Sequence, residues 1–138
     1  MRRTQPVRNS FSEPWFDACN RGRLLLQRCD SCTKYQFYPR ILCTHCGAGT
    51  PAWAEVSGAG TVASFSIVRH AISKGYSAPY VVGLIQLAEG PRLMSNIVDG
   101  DLDALSIGMP VAVRFESWAE DVSLPVFTPV EKKEVEFL

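Results

Sequence analysis

The residues with the clearest chemistry are two pairs of cysteines with the same spacing. Cys29 and Cys32 form the first pair, Cys43 and Cys46 form the second, and ten residues separate the pairs. Two such pairs can present four thiolates in a tetrahedron around one metal ion, and Gly47 gives the second turn the backbone freedom that it needs. The spacing therefore predicts a structural zinc site on these four cysteines.

Other uses of the cysteines fit the pattern less well. A redox pair normally stands at a strand-to-helix junction, whereas these pairs flank a short aromatic segment. A disulfide framework would suit a secreted chain, but no apolar signal segment opens the sequence. Iron takes the same four sulfurs in a rubredoxin-like site, so ligand type leaves iron open beside zinc. We expect His45 at the surface, because four thiolates complete the shell, and Cys19 as a buried small hydrophobe.

Composition and charge limit the class of protein. Of the 138 residues, 46% are hydrophobic and 20% are charged, as in a soluble globular protein. No apolar run approaches the roughly eighteen residues of a membrane span, so we expect a cytoplasmic protein with no membrane partner. Residues 1–50 carry a net charge of +5 and residues 51–138 a net charge of −5.

A short helix is predicted before the cysteines. Ser10 and Glu13 have the spacing of a capping box, which places the helix at about 12–21. A helix of this length is marginal alone in water, so its aromatic side chains must be buried against something. Trp15 and Phe16 pack either on this chain's own ribbon or on a partner subunit, and the sequence leaves both open.

The next predicted unit is a zinc ribbon at 23–50, following a lead-in and helix at 1–22. One strand at 23–28 leads into the first cysteine pair, and a return strand at 35–42 leads into the second. Residues 47–52 are rich in glycine and alanine and are expected to form a linker.

Beyond the linker the hydrophobic period is two, with turn signals at short intervals. A run at 53–56 is expected to bend at a glycine pair and continue at 61–70 as one kinked strand. Four more strands are predicted, at 80–87, 92–98, 111–115 and 124–130, with one helical turn after the third strand. The fold is thus predicted as mainly β, with a five-stranded OB-fold barrel at 51–130, a tail at 131–138, and a simple antiparallel sandwich as the alternative.

Several separated segments occur in an order that resembles one family. They lie at 21–29, 37–40, 57–62, 79–84, 92–99 and 107–111. Over about residues 11–130 the chain resembles the rubredoxin-like zinc-ribbon plus OB-fold proteins associated with acyl-CoA enzymes. The resemblance implies an accessory subunit of a hetero-oligomer. Its partner would be a thiolase, a thiolase-like aldolase or a hotdog-fold hydratase, and it would help to hold or channel a coenzyme A thioester.

No independent catalytic site is predicted. The sequence lacks the GxSxG, HExxH, P-loop and GxGxxG motifs, and a lone histidine at a strand end, His70, is more often structural than a general base. A coenzyme A thioester needs cations for its phosphates and an apolar slot. Arg69, His70, Lys74 and Tyr76 cluster at one strand end and its loop, and we predict that they lie near coenzyme A. Ordinary solvated charge is the alternative for each.

Nucleic-acid binding is the competing class of function, because zinc ribbons and OB-folds both commonly do it. Barrels that bind single strands combine a positive groove with stacking aromatic side chains. The half of this chain that holds the barrel has a net charge of −5, which should repel a phosphate backbone. We therefore expect no nucleic-acid partner.

Overall fold

The computed structural model describes residues 5–73 and 75–130. Within them the chain forms one α-helix, α1 (Glu13–Asn20), and otherwise mainly β structure. The strands are β1 (Leu25–Arg28), β2 (Tyr35–Gln36), β3 (Ala52–Glu55), β4 (Ala59–Val68), β5 (Tyr80–Leu87), β6 (Arg92–Ile97), β7 (Pro110–Ala119) and β8 (Val122–Pro129). A 3-10 turn, Leu102–Ala104, follows β6. Among the residues described, no helix is long and apolar enough to cross a membrane. The lead-in at 1–4, Lys74 and the tail at 131–138 lie outside the described residues.

The first sheet has the order β2-β1-β3 and is antiparallel throughout. The sequence predicted that 53–56 would start the barrel, and this was wrong, because β3 pairs with β1 instead. The predicted return strand is also shorter, since regular pairing ends at Gln36, and Pro39 has no N–H to donate to a ladder. β2 pairs with one edge of β1 over only two residues. β3 pairs with the other edge and satisfies the backbone N–H and C=O groups of β1 there.

The second sheet is a closed barrel with the order β4-β5-β6-β8-β7. It closes where β4 pairs with the start of β7, with Gly60 opposite Val111. The predicted mainly β fold with a five-stranded barrel is therefore confirmed, and the short helical turn follows the third barrel strand as predicted. Closure excludes the alternative of a simple antiparallel sandwich.

The faces of β4 differ from the simple alternation in the sequence. A strict alternation would place Val62, Ser64, Ser66 and Val68 on one face. A bulge between Val62 and Ser64 shifts the pairing with β5 by one residue. Val62 consequently packs in the core together with Phe65 and Ile67, while Ser64 and Ser66 are exposed.

One hydrophobic core joins the first sheet to the barrel. Leu24 and Leu26, from the ribbon, belong to the same buried cluster as Val62, Ile85 and Phe127, from the barrel. Leu26, Ile85 and Phe127 are each 0% exposed. The ribbon is therefore packed onto the barrel by shared apolar contacts.

Helix α1 begins and ends with contacts that the sequence only partly predicts. The expected capping box at Ser10 is not formed, because the Glu13 backbone N–H donates to the Asn9 carbonyl (2.9 Å), and Asn9 Oδ1 accepts from the N–H of Ser12 (3.0 Å). At the other end, Asn20 Nδ2 donates to the Asp121 carbonyl at 2.8 Å. The N–H of Ser123 donates back to Asn20 Oδ1 at 2.8 Å, which fixes α1 to the β7–β8 turn.

Candidate functional site

The two cysteine pairs lie on turns built by the same backbone contacts. In the first turn, the Thr33 N–H donates to the Cys29 carbonyl (2.8 Å) and the Cys32 N–H points at Cys29 Sγ (3.5 Å). In the second turn, the Gly47 N–H donates to the Cys43 carbonyl (3.0 Å). Gly47 has φ +78°, the left-handed conformation that glycine adopts without strain. The turns therefore bring each cysteine pair to one side of the chain.

The four sulfurs converge on one point. All lie within 4.8 Å of one another, and Cys29 Sγ is 3.6 Å from Cys46 Sγ, as is Cys32 Sγ from Cys43 Sγ. Tetrahedral Zn–S bonds of about 2.3 Å require S···S separations of about 3.8 Å. The donor set and its spacing fit one four-coordinate metal ion, with Cys29 and Cys43 buried and Cys46 at the surface.

Cys29, His45 and Cys19 differ in their chemistry and in their surroundings. The Cys32 backbone N–H lowers the pKa of the Cys29 thiol, which favours the thiolate that a metal binds. His45 is exposed and outside the cluster, with Nε2 donating to the Tyr35 carbonyl at 3.1 Å. Cys19 is 1% exposed, as predicted for a small hydrophobe, and burial raises the pKa of its thiol to about 12.

Two buried glutamines beside the cysteines were missed by the sequence analysis. Gln27 is 3% exposed and Gln36 is 7% exposed, and Gln36 Nε2 donates to Gln27 Oε1 at 2.8 Å. Gln27 also holds both backbone groups of Arg40, accepting from its N–H (2.9 Å) and donating to its carbonyl (3.1 Å). Gln36 Oε1 accepts from the N–H of Thr44 at 2.9 Å. The sequence gives one sign of this buried pair, which is a glutamine in each of the two short strands β1 and β2.

The two aromatic side chains predicted for partner binding differ in position. Phe16 is 9% exposed and lies under the Arg8 guanidinium, 5.2 Å from its ring centroid, so most of its side chain is buried by its own chain. Trp15 is half-buried between Phe16 and Phe37, with ring centroids 5.0 and 6.1 Å away. Partner contacts by Trp15 and Phe16 stay predictions.

The predicted coenzyme A residues lie at one end of the β4–β5 hairpin. Arg69 and His70 follow β4 directly and are exposed, while Tyr76 precedes β5 and stacks on Tyr80 at 5.3 Å. The cavity beside Tyr76 holds only about 90 Å³. Lys74, from the same loop, lies outside the described residues. Arg69, His70 and Tyr76 therefore lie at the same end of the barrel, and their contact with coenzyme A stays a prediction.

Comparison with known families covers both sheets. Residues 16–52 match the family described as "ChsH2, rubredoxin-like zinc ribbon domain", and residues 53–116 match "ChsH2, C-terminal OB-fold domain". A DUF35 domain-containing scaffold protein of Methanothermobacter thermautotrophicus is 33% identical over 78% of this chain and 82% of its own length. The chain belongs to the DUF35 family. Its zinc-ribbon domain and four converging cysteines fit metal binding.

The chain covers different shares of two further relatives. A second scaffold protein, from Methanocaldococcus jannaschii, is 34% identical over 78% of this chain and 77% of its own length. A probable enoyl-CoA hydratase alpha subunit of Thermomonospora curvata is 36% identical over 96% of this chain. The chain spans only 41% of that hydratase subunit.

Two solved structures resemble this chain, and one of them agrees with the DUF35 assignment. The structure described as "Ltp2-ChsH2(DUF35) aldolase" matches with a TM-score of 0.83 and 36% identity, covering 91% of this chain and 98% of the matched one. A DUF35 protein of unknown function from Sulfolobus solfataricus matches with a TM-score of 0.62 at 16% identity. The second match supports the fold alone.

Proposed function

We propose that this DUF35 chain is a non-catalytic accessory subunit of an acyl-CoA-processing complex, with an aldolase as its first candidate partner. The observation that carries the proposal is the match to the Ltp2-ChsH2(DUF35) aldolase, because the chain corresponds to 98% of that matched chain. An enoyl-CoA hydratase is the second candidate, favoured by the relative from Thermomonospora curvata, although the chain spans only part of that subunit.

The metal proposed for the cysteine cluster is structural zinc. Four thiolates fill a tetrahedral shell and leave no open position for water or substrate, which is typical of sites that stabilise a fold. Among residues 5–73 and 75–130, no other group of three or more histidine, cysteine or acidic side chains could hold a metal ion. Iron would fit the same four sulfurs, and its visible absorption would distinguish it from colourless zinc in the purified protein.

The proposed role toward coenzyme A is to supply one edge of a shared site. Arg69 and His70 place a guanidinium and an imidazole at an exposed end of the barrel, and Tyr76 adds an aromatic face. The cavity of about 90 Å³ beside Tyr76 is far smaller than the roughly 300–1,000 Å³ of a small-molecule site. This edge cannot enclose a thioester alone, so the partner enzyme would complete the site.

Purification of the tagged chain from its native host tests the assembly. We expect an aldolase or a hydratase to co-purify in fixed stoichiometry, identified by mass spectrometry, and the complex to turn over an acyl-CoA substrate. The isolated chain should show no turnover. Enzymic turnover by the isolated chain would contradict the proposal, as would the absence of an acyl-CoA enzyme from the purified complex.

Charge reversal tests the proposed edge separately. Arg69→Glu in the assembled complex should weaken thioester affinity by about tenfold, the size expected when one charge-assisted hydrogen bond is lost. Lys74→Glu tests the second predicted cation in the same way. Arg21→Glu, an exposed arginine at the end of α1, is the matched control and should leave affinity unchanged. Equal effects of all three variants would point to long-range charge rather than contact.

A further inference from the structure

A second cavity lies between the ribbon and the turn that joins β5 to β6. It holds about 570 Å³, within the range of small-molecule sites and about six times the volume beside Tyr76. We call it the ribbon cavity. Three aromatic and three basic side chains line its ribbon side: Tyr35, Phe37, Tyr38, Lys34, Arg40 and His45.

The irregular segment that carries Arg40 is rigidly held. Gln27 bonds both the N–H and the carbonyl of Arg40, although Arg40 lies in no regular strand. Gln36 bonds the N–H and the hydroxyl of Thr44, which lines the same cavity, at 2.9 and 3.1 Å. Both glutamines are buried, so water does not compete for these bonds. The ribbon cavity is thus preformed, which reduces the entropy lost when a ligand binds.

The cations of the ribbon cavity are available to an anion. None of the ion pairs formed among residues 5–73 and 75–130 uses Lys34 or Arg40. The Arg40 guanidinium lies 5.9 Å from the Tyr38 ring centroid, and its one hydrogen bond among these residues goes to the Pro39 carbonyl (3.1 Å). One acid, Glu89, also lines the cavity, and its Oε2 accepts from the Ser57 N–H at 2.9 Å.

The aromatic side of the cavity suits a planar ring. Tyr38 is 60% exposed, an unusual exposure for a large aromatic residue, and its ring lies 4.9 Å from that of Phe37. Exposed aromatic faces next to cations are the combination that binds a nucleotide, with the base stacked on the ring and the phosphates bound by the charges.

We propose that the ribbon cavity binds an adenosine phosphate group, with the base against Tyr38 and the phosphates at Lys34 and Arg40. The nucleotide end of coenzyme A is a phosphorylated adenosine, so we take coenzyme A as the source of this adenosine phosphate group. Only that choice of source rests on the proposed function. The ribbon would then hold the nucleotide end, while the reactive end lies in the partner enzyme.

Calorimetric titration of the metal-loaded full chain with adenosine 3′,5′-bisphosphate tests the assignment. At low salt we expect one site with a dissociation constant below about 1 mM. Arg40→Ala and Lys34→Ala should each weaken binding by at least about tenfold. Tyr38→Ala should weaken binding by about fivefold or more, through lost stacking. Arg21→Ala, at an exposed arginine beyond the end of α1 that does not line the cavity, is the control and should change nothing. Metal content and circular dichroism must match the wild type in every variant.

Different results would overturn the proposal. Binding that is absent, or that falls equally in Arg21→Ala, would remove the ribbon cavity as the site. Inorganic phosphate binding as tightly as the bisphosphate would reduce the site to an anion patch, and tighter Arg40-dependent binding of a single-stranded oligonucleotide would assign it to nucleic acid. If free ADP displaces the bound bisphosphate better than coenzyme A does, coenzyme A is not the source of the adenosine phosphate group. Failure of the proposed function would instead show as intact bisphosphate binding with no acyl-CoA enzyme co-purifying.

Discussion

The ribbon and the barrel are stabilised by different interactions, although they share a core. The barrel strands have six to ten residues, and side chains such as Ile85, Leu87 and Phe127 are almost fully buried. The ribbon strands have two to four residues, and between Cys29 and Cys46 the buried groups are mainly thiols and Gln36. Segments this small bury too little apolar surface to order themselves. The comparison indicates that apolar burial stabilises the barrel, and that a metal and buried hydrogen bonds order the ribbon.

Removal of the metal should have the largest effect, confined to the ribbon. Structural zinc contributes about 10 kcal/mol or more to the folding of small zinc domains. Chelation, or Cys43→Ser, should therefore disorder residues 29–51, while the β1–β3 pairing and the barrel remain. Amide hydrogen exchange read residue by residue would measure this.

The fifth cysteine supplies the control for metal removal. Cys19→Ala should retain one metal per chain, because Cys19 lies outside the cluster. Loss of protection throughout the barrel upon chelation would show that the metal stabilises the whole chain, and the contrast between the two regions would then be wrong.

Truncation of the barrel core should come second in size. Phe127→Ala removes a side chain that is 0% exposed, and we expect the free energy of unfolding to fall by about 3–5 kcal/mol. Urea denaturation followed by far-UV circular dichroism measures the change. Phe11→Ala, at a residue 48% exposed, is the matched control and should cost under about 1 kcal/mol. Similar costs for both variants would mean that the barrel does not depend on apolar burial.

Removal of the buried hydrogen bonds of the ribbon should have the smallest effect of the three. Gln27→Leu keeps the volume but leaves the backbone groups of Arg40 without a partner, at a cost of about 2–3 kcal/mol. Gln86→Leu removes partly exposed bonds to Gly90 and Arg92 in the barrel, and should cost under about 1 kcal/mol. Equal urea midpoints for the two variants would show that the ribbon gains nothing from its polar network.

Much of the fold was predictable because its signals are local in the sequence. The paired cysteines with Gly47 specify the two metal-binding turns, and the period of two with regular turns specifies the barrel strands. The short helical turn after the third barrel strand was also predicted, and in the structure the Asp101 side chain caps it by accepting from the Asp103 N–H.

The errors arose where a long-range contact decided the structure. The residues of β3 do not reveal that it pairs with β1 rather than with the barrel strands, because a short strand of this composition fits either sheet. The bulge after Val62 is likewise set by pairing with β5. The glutamine network was missed because Gln27 and Gln36 have ordinary polar side chains in the sequence, and only the folded chain buries them together.

The pairing of β1 with β3 has a consequence for how this chain can vary. Arg28 and Ala52 are direct partners across the sheet, so the whole metal-binding segment leaves and re-enters the fold at one place. A segment whose ends already meet can be shortened, lengthened or exchanged without moving the strands on either side. Related chains could therefore discard the metal, and whatever the ribbon binds, while keeping the helix and barrel unchanged.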